Sequence, residues 1–205
     1  MSIAKNIENI ILKQKKGRIF FVSDFDDFEN YDAVRKALQR LVDKGMLVRL
    51  GTGIYYYPKK DKMMGTLFPS IDKIAKAIAK RDKARIIPAG DYALYLLGLS
   101  EQIPMNVVFL TDGAPREVVI GNRKIIFKKT SPKNLAIKNK LANYIIQSLK
   151  SIGREHVNEQ HLYVIKQHLD KSKELHTIKK EMNHAPVWIR KTINPLIKKK
   201  QNELA

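Results

Sequence analysis

Long hydrogen-bond donors recur at helical spacing within residues 31–40. Arginine and glutamine can pair bidentately with guanine and adenine edges in the major groove of DNA, and lysine binds phosphate. Of the candidates, Lys36, Arg49 and Thr52 suit contacts to the DNA backbone. A solvated helix face that is merely basic is the alternative interpretation. The predicted DNA contacts are Tyr31, Arg35, Lys36, Gln39, Arg40, Arg49 and Thr52.

The charge balance of the whole chain favours a polyanionic partner. The 205 residues contain 39 Lys and Arg against 20 Asp and Glu, a formal net charge of +19. Residues 1–60 carry 12 basic and 7 acidic side chains, residues 61–130 carry the same numbers, and residues 131–205 carry 15 and 6. The charge is therefore not confined to a tail. Nucleic acid is the expected partner, ahead of an anionic membrane or an acidic protein surface.

Residue types and spacing disfavour other chemistries. Because the chain has no cysteine, thiol nucleophiles, disulfides and zinc–thiolate sites are excluded. Most histidines lie in residues 156–176, but His156, Glu159 and His161 would not share a helix face. The acidic cluster at residues 24–27 falls where a helix start is expected. We therefore predict no metal, no cofactor and no enzymatic activity.

The chain lacks a segment suited to a membrane or to secretion. Its longest apolar or small stretch, Tyr92–Leu99, has eight residues where about 20 are needed to span a bilayer. The first isoleucines alternate with charged residues and do not form one apolar block. We expect a cytoplasmic protein.

Residues 1–60 predict a winged helix-turn-helix domain. A helix, a short strand and a second short helix precede a third helix, which Asn30 caps and Gly45 ends. Two strands then follow around a tight turn at Gly51-Thr52-Gly53. In the last strand we expect Tyr55–Tyr57 to pack on both faces of the sheet. The predicted bounds are Ser2–Lys15, Arg18–Val22, Ser23–Glu29, Asn30–Lys44, Met46–Leu50 and Ile54–Tyr57.

Beyond a predicted linker at Lys60–Gly65, residues 66–205 predict a second, α+β domain. We expect a small antiparallel sheet followed by a helical C-terminal part, in which Ser131-Pro132 starts the first helix. Trp188 is expected to anchor helix packing, and Lys198–Lys200 to form a solvated helix end. The predicted strands are 85–87, 107–111, 117–120 and 124–128, and the helices are 71–83, 91–99, 155–169, 172–183 and 187–203.

Two stretches carry a family resemblance. Residues Ala33–Tyr55 read AVRKALQRLVDKGMLVRLGTGIY, and residues Pro88–Leu99 read PAGDYALYLLGL. The first is similar to the winged-helix pattern of AbiEi-type antitoxins, the regulator half of bacterial abortive-infection (type IV) toxin–antitoxin pairs. That pattern is shared with many unrelated regulators. The second stretch, followed by Pro104 and a strand, resembles the entry to that family's second domain and is the more specific signal.

The resemblance implies a transcriptional regulator that represses its own operon through an N-terminal DNA-binding domain. It also implies a C-terminal domain that counteracts a nucleotidyltransferase-like toxin without forming a stable complex with it. The expected partners are double-stranded operator DNA and, functionally, the toxin.

Two other function classes stay open beside this one. An RNA-binding or ribosome-associated basic module is the alternative, since a net charge of +19 suits it equally. An enzyme carried by residues 85–130, with Asp91, Asp112 and Glu117, is disfavoured because no paired carboxylates share one predicted strand or loop.

Overall fold

The computed structural model describes the backbone of residues 2–203 and the side chains of residues 2–197, and it shows an α+β protein. The chain divides into two compact units, and each contains a hydrophobic core of its own. The first unit contains Met1–Ile78 and Val118–Arg123, and the second contains Ala79–Glu117 and Lys124–Ala205.

In the first unit, helices and strands follow one another in the predicted order. The second predicted helix is a 3-10 helix, and a non-helical residue, Phe25, interrupts it. The first elements are α1 (Ile3–Leu12), β1 (Ile19–Phe21), the 3-10 helix (Val22–Phe28), α2 (Tyr31–Asp43), β2 (Val48–Gly51) and β3 (Ile54–Tyr56).

Helix α2 forms from an amphipathic sequence with a side-chain cap. The Asn30 carboxamide oxygen accepts a hydrogen bond from the Ala33 N–H at 2.9 Å, which satisfies one free donor of the first turn. Val34, Leu38 and Leu41 recur at helical spacing and are 2%, 0% and 3% exposed. This buried stripe turns the opposite, polar face of α2 to solvent.

The core of the first unit is built where α1 and α2 pack together with residues of the sheet. The stacked rings of Phe20 and Phe25 lie 5.9 Å apart between centroids. Each fully buried leucine or isoleucine contributes about 1.5–3 kcal/mol to the free energy of unfolding. The fully buried members include Ile7, Ile11, Leu38 and Leu47.

Strand β3 is the central strand of the first sheet. It pairs antiparallel with β1 on one side and with β2 on the other. Gly53, with φ +69, makes the tight turn between β2 and β3. As predicted, the tyrosines alternate: Tyr55 and Tyr57 pack on the core, and the Tyr56 hydroxyl donates a hydrogen bond to the Leu67 carbonyl at 2.8 Å.

The linker predicted at Lys60–Gly65 is wrong, because these residues take part in an antiparallel hairpin. The Asp61 carboxylate accepts hydrogen bonds from the Met63 and Met64 N–H groups at 2.8 and 2.9 Å. These bonds close the turn and hold the pKa of Asp61 below its ordinary value. Both hairpin faces are largely solvated, so the sequence of the two strands lacks the alternation of apolar and polar residues that predicts a strand. The strands are β4 (Lys59–Asp61) and β5 (Gly65–Leu67), and α3 (Ile71–Arg81) follows.

The chain beyond Arg81 contains a four-stranded sheet and a helical C-terminal part. Short 3-10 turns at 134–136, 154–156 and 182–184 connect several of its helices. Its elements are β6 (Ile86–Ala89), α4 (Asp91–Leu97), β7 (Asn106–Thr111), β8 (Arg116–Ile120), β9 (Arg123–Lys129), α5 (Lys140–Ile152), α6 (Glu159–Lys171), α7 (Leu175–Glu181) and α8 (Val187–Glu203).

The four-stranded sheet is mixed, so the prediction of an antiparallel sheet is wrong for one strand pair. The strand order is β6-β7-β9-β8, with β6 antiparallel to β7 and β7 parallel to β9. In β9, Ile125 and Phe127 are 0% and 4% exposed, whereas Val119 of β8 is 60% exposed. The more apolar β9 therefore takes the central position beside β7, and the half-solvated β8 lies at the edge.

The helix predicted to begin at Ser131-Pro132 begins later, at Lys140. Its cap is Asn139, whose side-chain oxygen accepts a hydrogen bond from the first turn. The backbone N–H groups of Lys138 and Asn139 donate to the Glu181 carboxylate at 3.1 and 2.7 Å. This pairing with the end of α7 fixes the segment before the helix, and a local sequence pattern does not reveal it.

Helices α5 to α8 enclose the core of the second unit. Ile145, Ile165 and Ile189 are each 0% exposed, and Trp188 packs against this core from its edge, as predicted. Helix α8 begins at Val187, also as predicted. The predicted solvated end at Lys198–Lys200 lies outside the described side chains.

Candidate nucleic-acid interface

The outer face of α2 presents the predicted contact residues to solvent. Because Val34, Ala37, Leu38 and Leu41 are buried in the core, the polar side chains of α2 lie on its opposite face. Arg35, Lys36 and Gln39 are all exposed. Long donors on a rigid, capped helix are the arrangement that reading a nucleic-acid groove requires.

A shallow groove runs between α2 and the β2–β3 hairpin. Its volume is about 290 Å³. It brings together residues that are separated in the sequence, since Arg49 comes from β2, Tyr55 comes from β3 and the others come from α2. The lining residues are Asp32, Arg35, Lys36, Gln39, Arg49 and Tyr55.

Two side-chain contacts order the polar face of α2. The Arg35 guanidinium carbon lies 5.8 Å from the centroid of the Tyr31 ring, a cation–π distance. The Gln39 amide donates a hydrogen bond to the Asp43 carboxylate at 2.9 Å, which engages one of its two N–H donors within the helix. Arg35 and Gln39 are therefore each held by a neighbour on α2.

The remaining predicted residues lie outside the lining of the groove. Tyr31, Arg40 and Thr52 are exposed, and Thr52 sits in the turn between β2 and β3. The structure adds Asp32, which the sequence reasoning missed and whose spacing four residues before Lys36 could have shown it on the same face. One negative charge thus stands among the cations of the groove.

Two histidines of the second unit take structural positions. His161 completes a capping box with Asn158 at the start of α6. The His168 ring nitrogen Nε2 lies 2.8 Å from the Leu97 carbonyl oxygen. Among the residues that the structure describes, no group of three or more His, Asp or Glu side chains could hold a metal ion.

The carboxylates considered for an enzyme are engaged separately. Asp112 accepts hydrogen bonds from the Arg85 side chain at 2.8 Å and from the Arg85 N–H at 2.7 Å, and these bonds hold the pKa of Asp112 below its ordinary value. Glu117 pairs with Lys124 at 2.8 Å. Asp91 lies 3.5 Å from the Ser151 hydroxyl. Each carboxylate therefore has its own neighbour, and none of these contacts joins one to another.

The helices in the described part of the chain do not include one that is both long and apolar enough to cross a membrane.

Comparison with known proteins identifies a family and finds similar solved structures. The model of DUF6088, a family of unknown function, matches residues 6–177. No curated protein matches the chain. The crystal structure of the RV2827C protein from Mycobacterium tuberculosis is similar at a TM-score of 0.45 and 11% identity, over 96% of this chain and 76% of that chain.

Proposed function

The chain belongs to the DUF6088 family of unknown function, and we propose that it is a DNA-binding transcriptional repressor whose first unit is a winged helix-turn-helix domain. The observation that carries this proposal is the groove between α2 and the β2–β3 hairpin. It collects Arg35, Lys36 and Gln39 from the helix and Arg49 from the strand. Cations and bidentate donors on one surface suit a duplex, which offers phosphates and base edges side by side.

The order of elements in the first unit supports the winged-helix assignment. A helix, a strand, a short helix, a longer helix and a hairpin follow in sequence, and the sheet order is β1-β3-β2. In this proposal α2 enters the major groove and the turn at Gly51-Thr52-Gly53 is the wing. Arg35, Gln39 and Arg40 would face base edges.

Contacts to the DNA backbone come from the remaining candidates. Lys36 on α2 and Arg49 with Thr52 on the hairpin would bind phosphates on either side of the major groove. Tyr31 would hold Arg35 in place through the cation–π contact. The acidic Asp32 would limit the affinity for phosphate and so favour sites where base contacts supply the rest.

The antitoxin part of the proposal rests on the resemblance of residues Pro88–Leu99 to AbiEi-type antitoxins. In this chain the stretch forms the end of β6 and helix α4, with Tyr92, Ala93 and Leu97 buried. We propose that the second unit counteracts a nucleotidyltransferase-like toxin in the cytoplasm. The chain has no cysteine and its proposed partner is DNA, and both features favour that compartment.

A reporter gene placed behind the protein's own upstream DNA tests the repressor. We expect wild-type protein to lower expression and the double variant Arg35→Ala/Gln39→Ala to restore it. Lys15→Ala, an exposed cation outside the groove, is the matched control and should repress like wild type. Equal repression by all three proteins would contradict the proposed interface.

Growth rescue tests the antitoxin role separately. Cells that express the product of the neighbouring gene in the operon should grow when this protein is present, and the groove variants should rescue as well as wild type.

An RNA-binding or ribosome-associated module is the alternative function, because the net charge of +19 suits it equally. Preference for structured RNA over the upstream duplex would favour that alternative.

A further inference from the structure

A second groove lies in the helical part of the second unit, at the first turns of α8. Its volume is about 650 Å³. Trp188 and Lys191 come from α8, Leu162 comes from α6, and Arg154 and Val157 come from the connection between α5 and α6. The groove thus joins three parts of the chain, and its size lies within the roughly 300–1,000 Å³ that is typical of small-ligand sites.

The floor of this groove is apolar and partly aromatic. Trp188, Val157 and Leu162 each pack partly into the unit and are half-buried, so each keeps a solvent-accessible part. Val187 adds an apolar edge that is 57% exposed. A half-buried indole beside aliphatic side chains provides a flat surface on which an aromatic ring can stack.

The rim of the groove is cationic. Arg154 and Lys191 are exposed, and the Arg154 side chain is 74% exposed with only a long 3.8 Å approach to the Glu155 carboxylate. Such an exposed pair is weak and exchanges readily for a better anion. Among the described residues that line the groove, no side chain is acidic. The ligand therefore has to bring negative charge.

The groove offers few hydrogen bonds to a peptide backbone. Its one hydroxyl, on Thr192, already donates to the Trp188 carbonyl oxygen at 2.9 Å. An acidic peptide would leave backbone N–H and C=O groups unpaired at an apolar floor, which is unfavourable. A planar ring that carries an anionic group has no such cost.

We propose that this groove binds a nucleotide, with its base against Trp188 and its phosphate between Arg154 and Lys191. Bases of a duplex are stacked inside the helix and are not available to such a site, so the ligand is a free nucleotide or one nucleotide of a single strand. The site is independent of the DNA-reading surface on the first unit.

Intrinsic fluorescence gives a direct assay, because Trp188 is the single tryptophan of the chain. The full-length protein is titrated with AMP, adenosine, inorganic phosphate and a thymidine hexanucleotide. We expect saturable quenching by AMP. AMP should bind at least tenfold more tightly than adenosine, because adenosine lacks the phosphate that makes the charge-assisted contact. Inorganic phosphate, which has no ring, should leave the emission unchanged. Tighter binding of the hexanucleotide than of AMP would identify a single strand as the source, and the reverse order a free nucleotide.

Exposed cations allow variants that keep the fold. Arg154→Ala and Lys191→Ala should each weaken AMP binding about tenfold. Lys173→Ala removes the same charge from an exposed site outside the groove and should bind like wild type. An equal loss in all three variants would overturn the site, because it would show only the general attraction of a basic protein.

Two further outcomes would overturn the proposal. One is the absence of saturable quenching with any nucleotide probe. The other is quenching by a glutamate-rich peptide that AMP does not displace, which would assign the groove to an acidic protein partner. Neither outcome bears on duplex binding by the first unit.

Discussion

Replacing Arg35 by alanine separates base reading from general attraction to DNA. The side chain is exposed, and its guanidinium carbon lies 5.8 Å from the centroid of the Tyr31 ring. An exposed cation–π contact is worth about 0.5–1 kcal/mol, so the variant should keep its fold. Any larger effect on DNA binding therefore reports a contact with the DNA itself.

The expected magnitude follows from the geometry of a guanidinium fork. A bidentate contact to guanine is worth about 1–3 kcal/mol of discrimination, or roughly 5-fold to 150-fold in Kd. Arg35→Ala should therefore weaken binding to the upstream duplex by this factor and lower the ratio of specific to nonspecific affinity. Lys36→Ala removes a phosphate contact, so it should weaken all duplexes alike and reduce the salt slope by about 1.

Fluorescence anisotropy with labelled upstream and scrambled duplexes measures both quantities. Titrations at about 50 and 200 mM salt give the slope, and wild type should lose roughly 10³ or more in affinity if six or more phosphates are neutralised. Lys15→Ala is the control for lost charge. If Arg35→Ala weakened binding to both duplexes equally, or did not weaken it, the assignment of Arg35 to a base edge would be refuted. Toxin rescue by Arg35→Ala should remain at the wild-type level.

Three further predictions concern stability. Leu38→Ala removes a side chain that is 0% exposed and should lower the free energy of unfolding by about 2–5 kcal/mol. Urea titrations measure this loss, and a smaller loss would contradict the burial of Leu38 in the core. Asn30→Ala deletes the cap bonded to the Ala33 N–H and should cost about 0.5–2 kcal/mol, while Asn30→Asp should retain most of the stability. Asp112→Asn should destabilise the protein at pH 7. Since hydrogen bonds from Arg85 lower the pKa of Asp112, the wild-type advantage is present above the ordinary carboxyl pKa of about 3.9 and is lost as the pH falls through the lower folded-state value. An advantage that did not shrink between pH 7 and pH 2 would contradict this role.

Local patterns were sufficient to predict α2 and most of its groove. The period of Val34, Leu38 and Leu41 sets which face is buried, and the same period places Arg35 and Lys36 opposite. The contribution of Arg49 followed from the glycine turn, which folds β2 beside β3. Asp32 was not predicted, because an acidic side chain is not expected on a surface that binds phosphate.

Elements that depend on distant contacts could not be predicted. The parallel pairing of β7 with β9 is decided by which strand is more completely buried, and that requires the whole sheet. The late start of α5 depends on the Glu181 carboxylate, about forty residues further along. The hairpin of β4 and β5 lacks a buried face, so its residues resemble a linker in composition.

The groove beside Trp188 shows a different limit. Trp188 was correctly predicted to pack against other helices. Its neighbour Arg154 is more than thirty residues earlier in the chain, and only the packing of α6 and α8 brings the two into one lining. A sequence pattern gives no sign of a site that is assembled from three segments.

The most direct test of the proposed DNA binding is the protein's affinity for DNA from immediately upstream of its gene, compared with a scrambled duplex and a structured RNA. We expect a preference for the upstream duplex of about 10² or more that persists at the higher salt concentration. Equal binding to all three that disappears with salt would contradict the repressor and leave the charge as general attraction to polyanions.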